Sequence, residues 1–341
     1  MNKRVIWMIG AIEVIGAGCG VTADLSTVVQ AVCPPSACGV NGPGIDARGF
    51  HSISKSGQVN EAGYKLVRFE KDGVQYKLDV THGYLTGSRG AVVALSGQAL
   101  VGARLVLADK DGESRSIRIA QVGQMTFPVG DPDPIETYVF EYPTIATGGW
   151  RNLCAQRDLS AVVDPGLDAM GMQPEDSILF EGDRIDLDSK TVAVDPDLDW
   201  FNIGCAGHVL SKLHLTRNTI ASTGAVPGAL SFSARQATLK LITADYCGDG
   251  TAFTVTGQRL VWQGGQVEYN EPPTTIEAHW GEHGALCLDT PRMAVPTTDE
   301  GAIAFPNIWA AITAHCRPPS CQEYDPTGEQ RISGNPGGND Y

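Results

Sequence analysis

The sequence has 341 residues, of which 42% are hydrophobic and 19% charged, so it is long enough and apolar enough for two domains of ordinary size. It contains 39 acidic and 25 basic residues, which gives a formal net charge of −14 at pH 7. This acidity argues against binding to nucleic acid and against docking on anionic lipid, because both depend on a basic surface.

The first 18 residues show the pattern of a secretory signal peptide. Lys3 and Arg4 form a short positive region, a mostly apolar segment follows, and Cys19 comes directly after small residues. This pattern predicts that the chain is cut before Cys19 and that a lipid is attached to this cysteine. The alternative is ordinary cleavage after Ala23, which predicts a secreted soluble protein.

The cysteine content agrees with export. Nine cysteines are present, and eight remain once Cys19 is set aside. An even number of cysteines in an exported chain is best explained by disulfides. The cysteines expected to pair are Cys33, Cys38, Cys154, Cys205, Cys247, Cys287, Cys316 and Cys321. So many cysteines allow too many pairings for the sequence alone to settle the connectivity.

Residues 19–48 are rich in Gly and Pro and predict a tether between the signal peptide, residues 1–18, and the first fold. Residues 49–148 contain short segments in which apolar and polar residues alternate, as in residues 64–69. Turn signals such as Lys71-Asp72-Gly73 separate these segments. This region therefore predicts an all-β domain, either a sandwich or a small barrel.

Residues 149–321 mix strand-like alternation with the apolar spacing typical of helices, which predicts an α+β domain stabilised by disulfides. Helices are expected to begin near Cys205, to cover about residues 233–243, and to begin at Pro306. Residues 322–341 are polar and rich in Gly and Pro, so they predict a disordered tail. The expected fold class is therefore α+β, with the all-β domain first.

The most distinctive stretch is Ala244-Asp245-Tyr246-Cys247, which ends an apolar run and is followed by a Gly-Asp-Gly turn. It resembles the signature of the ADYC domain family, whose members are secreted proteins known mainly from myxobacteria. Residues 201–208 and 277–287 are similar to two further blocks of that family, so the resemblance extends over roughly residues 150–320. It implies an exported protein and no particular activity.

The resemblance also implies one disulfide pairing. Family members carry a further cysteine on each of two helices, and here Leu213 and Thr238 take those positions, as if one disulfide had been lost. Facing residues of an antiparallel helix pair have a nearly constant sum of residue numbers. Cys205 with Cys247 fits the same register as Leu213 with Thr238, which implies a Cys205–Cys247 disulfide between the two helices.

Several candidate reactive or metal-binding residues have a simpler structural explanation. A cysteine nucleophile needs an accessible thiol of low pKa beside an imidazole, and Cys247 with His208 supplies the residue types. A hydrolase using these two residues is therefore the alternative to a structural disulfide.

Cys205 with His208 lacks further ligands at zinc spacing, so no metal site is predicted there. An acidic cluster around Asp195 also lacks the EF-hand pattern, and calcium binding at that cluster is left open. The cluster consists of Glu181, Asp183, Asp186, Asp188, Asp195, Asp197 and Asp199.

Together, these observations predict an exported, lipid-anchored protein of the cell envelope with a non-catalytic binding or structural role. Its expected partner is a protein or a glycan at the cell surface or in the periplasm. The lipid anchor is the expected contact with the membrane, and neither a cofactor nor nucleic acid is expected as a ligand.

Overall fold

The structure, a computed structural model, describes residues 39–41, 50–127, 134–144, 148–154, 176–186, 188–223, 230–254, 258–264, 275–294, 307–325 and 331–335. Cys19, Cys33 and Cys38 lie outside the described residues, and so do the signal peptide and both candidate cleavage sites. What the sequence predicts for these positions therefore stays a prediction.

Within the described residues the chain is mostly β, with eighteen strands and three α-helices. In chain order the strands are β1 (Gly39–Asn41), β2 (Ile53–Ser54), β3 (Lys65–Lys71), β4 (Val74–Thr81), β5 (Tyr84–Arg89), β6 (Val92–Leu95), β7 (Arg104–Ala108), β8 (Ser114–Thr126), β9 (Pro134–Pro143), β10 (Trp150–Asn152), β11 (Ser177–Gly182), β12 (Ile185–Asp186), β13 (Thr191–Val192), β14 (Asp197–Cys205), β15 (Gln258–Gln263), β16 (Thr275–Gly281), β17 (Gly284–Leu288) and β18 (Arg331–Asn335). The helices are α1 (Val209–Leu215), α2 (Phe232–Thr243) and α3 (Ile308–His315). The expected combination of strands, a few helices and disulfides is thus confirmed.

Most of the strands form one antiparallel sheet of eleven strands. Their spatial order is β2, β14, β11, β9, β8, β7, β3, β4, β5, β6, and β10 pairs with β9. Ser177 in β11 pairs with Tyr138 in β9, and Trp200 in β14 pairs with Ser54 in β2. The sheet therefore includes strands from both sides of the boundary placed between residues 148 and 149, and the division into two domains stays a prediction.

This large sheet is bent so that one of its hairpin turns meets a distant strand. Asp72-Gly73 and His82-Gly83 each have positive φ at both residues, as a type I′ hairpin turn requires. The backbone N–H of His82 donates to Oε1 of Glu181 in β11 over 2.8 Å. A Cβ atom on Gly83 would lie 2.9 Å from a backbone oxygen of β11, so glycine permits this close approach.

A second antiparallel sheet has five strands in the order β1, β15, β18, β16, β17, and β12 pairs with β13 in a small separate ribbon. Helix α2 lies against β16 and β18. Leu241 and Trp280 belong to the core between the helices and this sheet, whereas Phe69 and Tyr138 belong to the core of the large sheet. In the described part of the chain, none of the helices has the length and apolar character needed to cross a membrane.

Helix α2 matches the helix expected at residues 233–243. Ser231 precedes it, and its side-chain oxygen accepts a hydrogen bond from the N–H of Ala234 over 3.1 Å. The helix expected to begin at Pro306 begins at Ile308, and the one expected near Cys205 begins at Val209. These shifts are small because local capping and apolar spacing determine where a helix forms.

Two short strands lie where the sequence indicated irregular chain. β1 lies in the predicted tether, and its Gly39 pairs with Leu260 in β15. β18 lies in the predicted disordered tail, and its Ile332 pairs with Gln263 on one side and His279 on the other. The prediction of a disordered tail is wrong for Arg331–Asn335, and the predicted tether over residues 19–48 stays a prediction. Pairing with partners distant in sequence stabilises the strands, and local composition does not reveal such partners.

Six cysteines form disulfides within the described residues, as the sequence predicts for them. The bonds join Cys154 to Cys205, Cys247 to Cys316, and Cys287 to Cys321. The Cys205–Cys247 pairing is therefore wrong. Cys205 is the last residue of strand β14, and Cys247 follows the end of α2, so the register of two facing helices does not apply to them.

Deleting residues 331–341 tests the role of β18. This strand lies between β15 and β16, so its loss leaves backbone groups of both neighbours without partners. Each buried unpaired group costs about 1–3 kcal/mol, so we expect urea unfolding to show a loss of more than about 3 kcal/mol in the free energy of unfolding. Deletion of residues 337–341 is the control. Equal unfolding midpoints for the two truncations would contradict the structural role of β18.

Candidate functional site

The Ala-Asp-Tyr-Cys motif directly follows helix α2, and its first three residues are buried. Ala244, Asp245 and Tyr246 are each at most 1% exposed. Ala244 has a φ of 51°, in the left-handed region, and the N–H of Asp245 donates to the backbone oxygen of Lys240 over 3.0 Å. Helices commonly end in this way, although the left-handed residue is more often glycine. After this turn, each of the next three side chains reaches a different partner.

The carboxylate of Asp245 closes the loop that follows the motif. Its Oδ2 accepts hydrogen bonds from Lys240 Nζ over 2.6 Å and from the N–H of Gly250 over 2.9 Å. Lys240 also donates to the backbone oxygens of Ser189 and Gly248, over 2.8 and 3.3 Å. The two charged side chains are 1% and 0% exposed, so water does not screen their attraction. The Asp245–Lys240 pair thus joins the end of α2 to its following loop and, through Lys240, to the β12–β13 turn.

A second lysine lies beside this ion pair. Lys190 Nζ donates to the backbone oxygen of Gly250. Burial lowers the pKa of Lys190, and the nearby Asp245 carboxylate opposes this change only in part. A Cβ atom on Gly250 would lie 1.9 Å from the backbone oxygen of Asp188, so this position requires glycine. The loop and the β12–β13 turn are therefore in close contact.

The phenol of Tyr246 joins a buried ion pair. Its hydroxyl donates to Oε1 of Glu277 in β16, and the N–H of Arg292 donates to the phenol oxygen over 3.2 Å. Arg292 Nε and Nη2 donate to the two carboxylate oxygens of Glu277 over 2.7 and 3.0 Å. Neither charged side chain has any exposed surface. The ring of Tyr246 stacks on Trp280, with 5.2 Å between the ring centres.

Burial and charge fix the protonation states of this cluster. Burial, followed by the negative charge of Glu277, raises the pKa of Tyr246 well above its usual range, so the phenol stays protonated and donates. Burial disfavours the charge on Arg292, but its interactions with Glu277 and Tyr246 together outweigh that effect and raise the pKa of Arg292. Ser333 in β18 donates to Glu277 Oε2 over 2.6 Å. The motif tyrosine is therefore connected to both β16 and β18.

The sulfur of Cys247 is bonded to Cys316, and the two Cα atoms are 5.4 Å apart. Cys316 directly follows α3, so this disulfide attaches α3 to the motif. Cys247 therefore has no thiol with which to act as a nucleophile beside His208. Cys205 is likewise bonded to Cys154, so it has no thiolate to offer a metal next to His208.

Carboxylates of the acidic cluster around Asp195 bind donors of the protein itself. Burial opposes ionisation of Asp199, but hydrogen bonds from Ser54 and Ser56 outweigh it and lower the pKa of Asp199. Asp183 forms a buried ion pair with Arg235. These carboxylates point to separate protein partners, which does not resemble a set of ligands around one calcium ion.

Within the part of the chain that the structure describes, one group of three possible metal ligands lies close together. Ligand atoms of His279, Cys287 and Cys321 all lie within 4.8 Å of one another. Cys287 and Cys321 are bonded to each other, so neither sulfur is a free thiolate, the form in which cysteine binds zinc. This group is therefore a disulfide with a neighbouring histidine.

The sequence did not single out the charged partners of the motif. Lys240 lies between Leu239 and Leu241 in a buried helix, and a lone charge in an apolar run indicates a buried partner. The sequence therefore carries a local signal for Lys240. Arg292 and Glu277 have no comparable local signal, because residues distant in sequence bury them.

Comparison with known proteins identifies one similarity. A family model described as the ADYC domain matches residues 97–294, which is more than half of the chain. The match includes the motif, Lys240, Glu277 and Arg292. It begins at residue 97, upstream of the resemblance noted in the sequence, which extends over roughly residues 150–320. No curated protein and no solved structure matches the chain.

Replacing Lys240 with methionine tests the Asp245 cluster. The substitution leaves the buried Asp245 carboxylate without its closest cation, and breaking a buried pair in this way costs about 3–5 kcal/mol of folding free energy. We expect a loss of that size in urea unfolding. Lys110→Met, at an exposed lysine, is the matched control and should change stability by no more than about 0.5 kcal/mol. Equal stability of the two variants would contradict the assigned role of Lys240.

Proposed function

The chain belongs to the ADYC domain family, and from this premise we propose that it is an exported, lipid-anchored protein of the cell envelope with a non-catalytic binding or structural role. The observation that carries the proposal is that all three polar side chains of the motif have partners inside the fold. Asp245 binds a lysine, Tyr246 binds a carboxylate, and Cys247 is bonded to another cysteine. This arrangement supports a motif that stabilises a scaffold, because a nucleophile or general base must be available to a substrate.

Disulfides support the export that we propose. The three bonds within the described residues support export, because disulfides form and persist mainly in oxidising compartments and are rare in the cytosol. The positive, then apolar, N-terminal pattern that ends at Cys19 supports lipid attachment after export. A secreted soluble protein cleaved after Ala23 is the alternative location.

The large sheet is the proposed platform for a protein or glycan partner. Its β4–β5 turn meets β11 through the hydrogen bond from His82 to Glu181, and this curvature supports a small barrel-like scaffold. Such a scaffold holds its surface strands and loops in fixed positions, which favours binding at little entropic cost. The formal net charge of −14 supports a partner other than nucleic acid.

Replacing Cys19 with alanine tests the location. If Cys19 carries the lipid, wild type should sediment with membranes, and the Cys19→Ala protein should be released into the soluble fraction or remain unprocessed. Cys33→Ala is the matched control, because it removes a cysteine of the predicted tether and leaves the predicted lipid site intact. The measurements are the distribution of the protein between membrane and soluble fractions and the mass of the mature protein, determined by mass spectrometry.

The same preparations test the non-catalytic role. We expect Cys247 of the unreduced, mature protein to remain unlabelled by iodoacetamide, since its sulfur is in a disulfide. Rapid labelling of Cys247 would contradict the proposal and favour a thiol enzyme. A Cys19→Ala protein that is processed and distributed like wild type would contradict the anchor and favour cleavage after Ala23.

A further inference from the structure

Helix α3 is short and buries few of its side chains. It has eight residues, of which Ile308 and Ile312 are buried, whereas Trp309 is 42% exposed. Isolated helices shorter than about 12–15 residues are barely stable in water, so α3 depends on its attachments to the remainder of the fold. The two buried isoleucines are one attachment, and two further attachments lie at the C-terminal end of the helix.

The first of these C-terminal attachments is covalent, and the second is weak. Cys316 directly follows the helix and is bonded to Cys247. Next to it, His315 Nδ1 lies 2.7 Å from Oδ2 of Asp249. Both side chains of this second contact are 41% exposed, and ion pairs at the surface contribute little to stability. The position of α3 therefore depends mainly on the disulfide.

The chain beyond α3 is anchored separately. The backbone N–H of Leu288 in β17 donates to the backbone oxygen of Pro319 over 2.8 Å. Two residues further on, Cys321 is bonded to Cys287 in the same strand. If the disulfide at the end of α3 opens, the following residues stay on the five-stranded sheet, and α3 can move without them.

The three disulfides in the described part of the chain differ in how well an external thiol can reach them. Cys154 and Cys205 are each 3% exposed, and Cys287 has no exposed surface. Cys247 and Cys316 are both half-buried. Thiol–disulfide exchange requires a thiolate to reach a sulfur atom, so the disulfide of α3 is the most accessible of the three.

The surroundings of the cysteines also decide whether a reduced bond closes again. Cys205 ends strand β14 and Cys287 lies within β17, so the sheets hold these residues beside their partners after reduction. A thiol that stays close to its partner has a high effective concentration, which favours closure of the bond. Cys316 follows a short helix that can move away, so its reduced form persists longer.

We propose that the Cys247–Cys316 disulfide is a redox-sensitive switch, and that a dithiol opens it and releases α3 from the core. A thiolate of the dithiol attacks one sulfur and forms a mixed disulfide with it. The other sulfur leaves as a thiolate and takes up the proton that the attacking thiol released. The second thiol then displaces the protein sulfur, so two electrons and two protons pass from the dithiol to the protein, and the dithiol becomes a disulfide.

Release of α3 uncovers apolar surface close to the family motif. Ile308 and Ile312 belong to the same core cluster as Phe253 and Met293. The ring of His315 meets the ring of Phe253 edge-on, with 5.7 Å between the ring centres. Opening of the disulfide therefore changes which apolar surface the molecule presents. The switch goes beyond the proposed function, because it makes this surface depend on the redox conditions.

Reduction of the folded, mature protein with graded dithiothreitol tests the order of opening. Free thiols are labelled with N-ethylmaleimide, the remaining disulfides are reduced and labelled with its deuterated form, and mass spectrometry of peptides gives the reduced fraction at each cysteine. We expect Cys247 and Cys316 to be reduced at least about tenfold faster than Cys154 and Cys205, because buried disulfides need a local opening first. Earlier or simultaneous reduction of either of the other two disulfides in the described residues would overturn the proposal.

Hydrogen exchange of the selectively reduced protein tests the release of α3. We expect the backbone amides of α3 to exchange at least about tenfold faster than in the oxidised protein, while those of α2 keep their protection, because α3 alone loses an attachment. Unchanged protection of α3 would overturn the proposal. Simultaneous loss of protection in α2 would overturn it as well, since the whole core would then open with the disulfide.

Cysteine variants produce the open state without a reductant. Cys247→Ser combined with Cys316→Ser should show the fast exchange of α3 in the absence of dithiothreitol. Cys154→Ser combined with Cys205→Ser is the matched control, because it removes a disulfide elsewhere and should keep α3 protected. Equal exchange of α3 in the two variants would contradict the switch. Circular dichroism checks that both variants fold, and the experiments on reduced wild type do not depend on them.

Discussion

The ion pair between Glu277 and Arg292 is the interaction on which the region around the motif depends. Removing two charges from water is costly, and the attraction between them offsets that cost only if their remaining hydrogen-bonding groups find partners. Tyr246 donates to one oxygen of Glu277, and Ser333 donates to the other. Arg292 also donates to the backbone oxygen of Leu241 over 2.9 Å. The pair therefore joins α2, β16, β18 and the motif into one unit.

Each residue of the Ala-Asp-Tyr-Cys signature has a distinct structural role in this arrangement. Ala244 reverses the chain after α2, Asp245 closes the next loop, Tyr246 reaches the ion pair in the sheet, and Cys247 attaches α3. Four consecutive residues thus connect four parts of the fold. Such a hub favours a motif that stabilises the fold itself.

Features set by neighbouring residues could be predicted from the sequence, and features set by distant residues could not. The Asp72-Gly73 hairpin and helix α2 follow from local turn and capping signals. The presence of disulfides followed from counting cysteines. Their connectivity, strands β1 and β18, and the partners of Tyr246 depend on contacts across long sequence separations. A resemblance to a family and an assumed helix register do not replace that information, as the error for Cys205 with Cys247 shows.

A double-mutant cycle on Glu277→Gln and Arg292→Met tests the central claim most directly, with unfolding free energies measured for wild type, both single variants and the double variant. The account predicts a coupling energy of at least about 1.5 kcal/mol, in the range observed for residues that share a buried network. The half-buried pair of Arg118 and Glu141 is the control, and it should couple by less than about 1 kcal/mol. Additivity of the Glu277 and Arg292 substitutions to within about 0.5 kcal/mol would contradict the account.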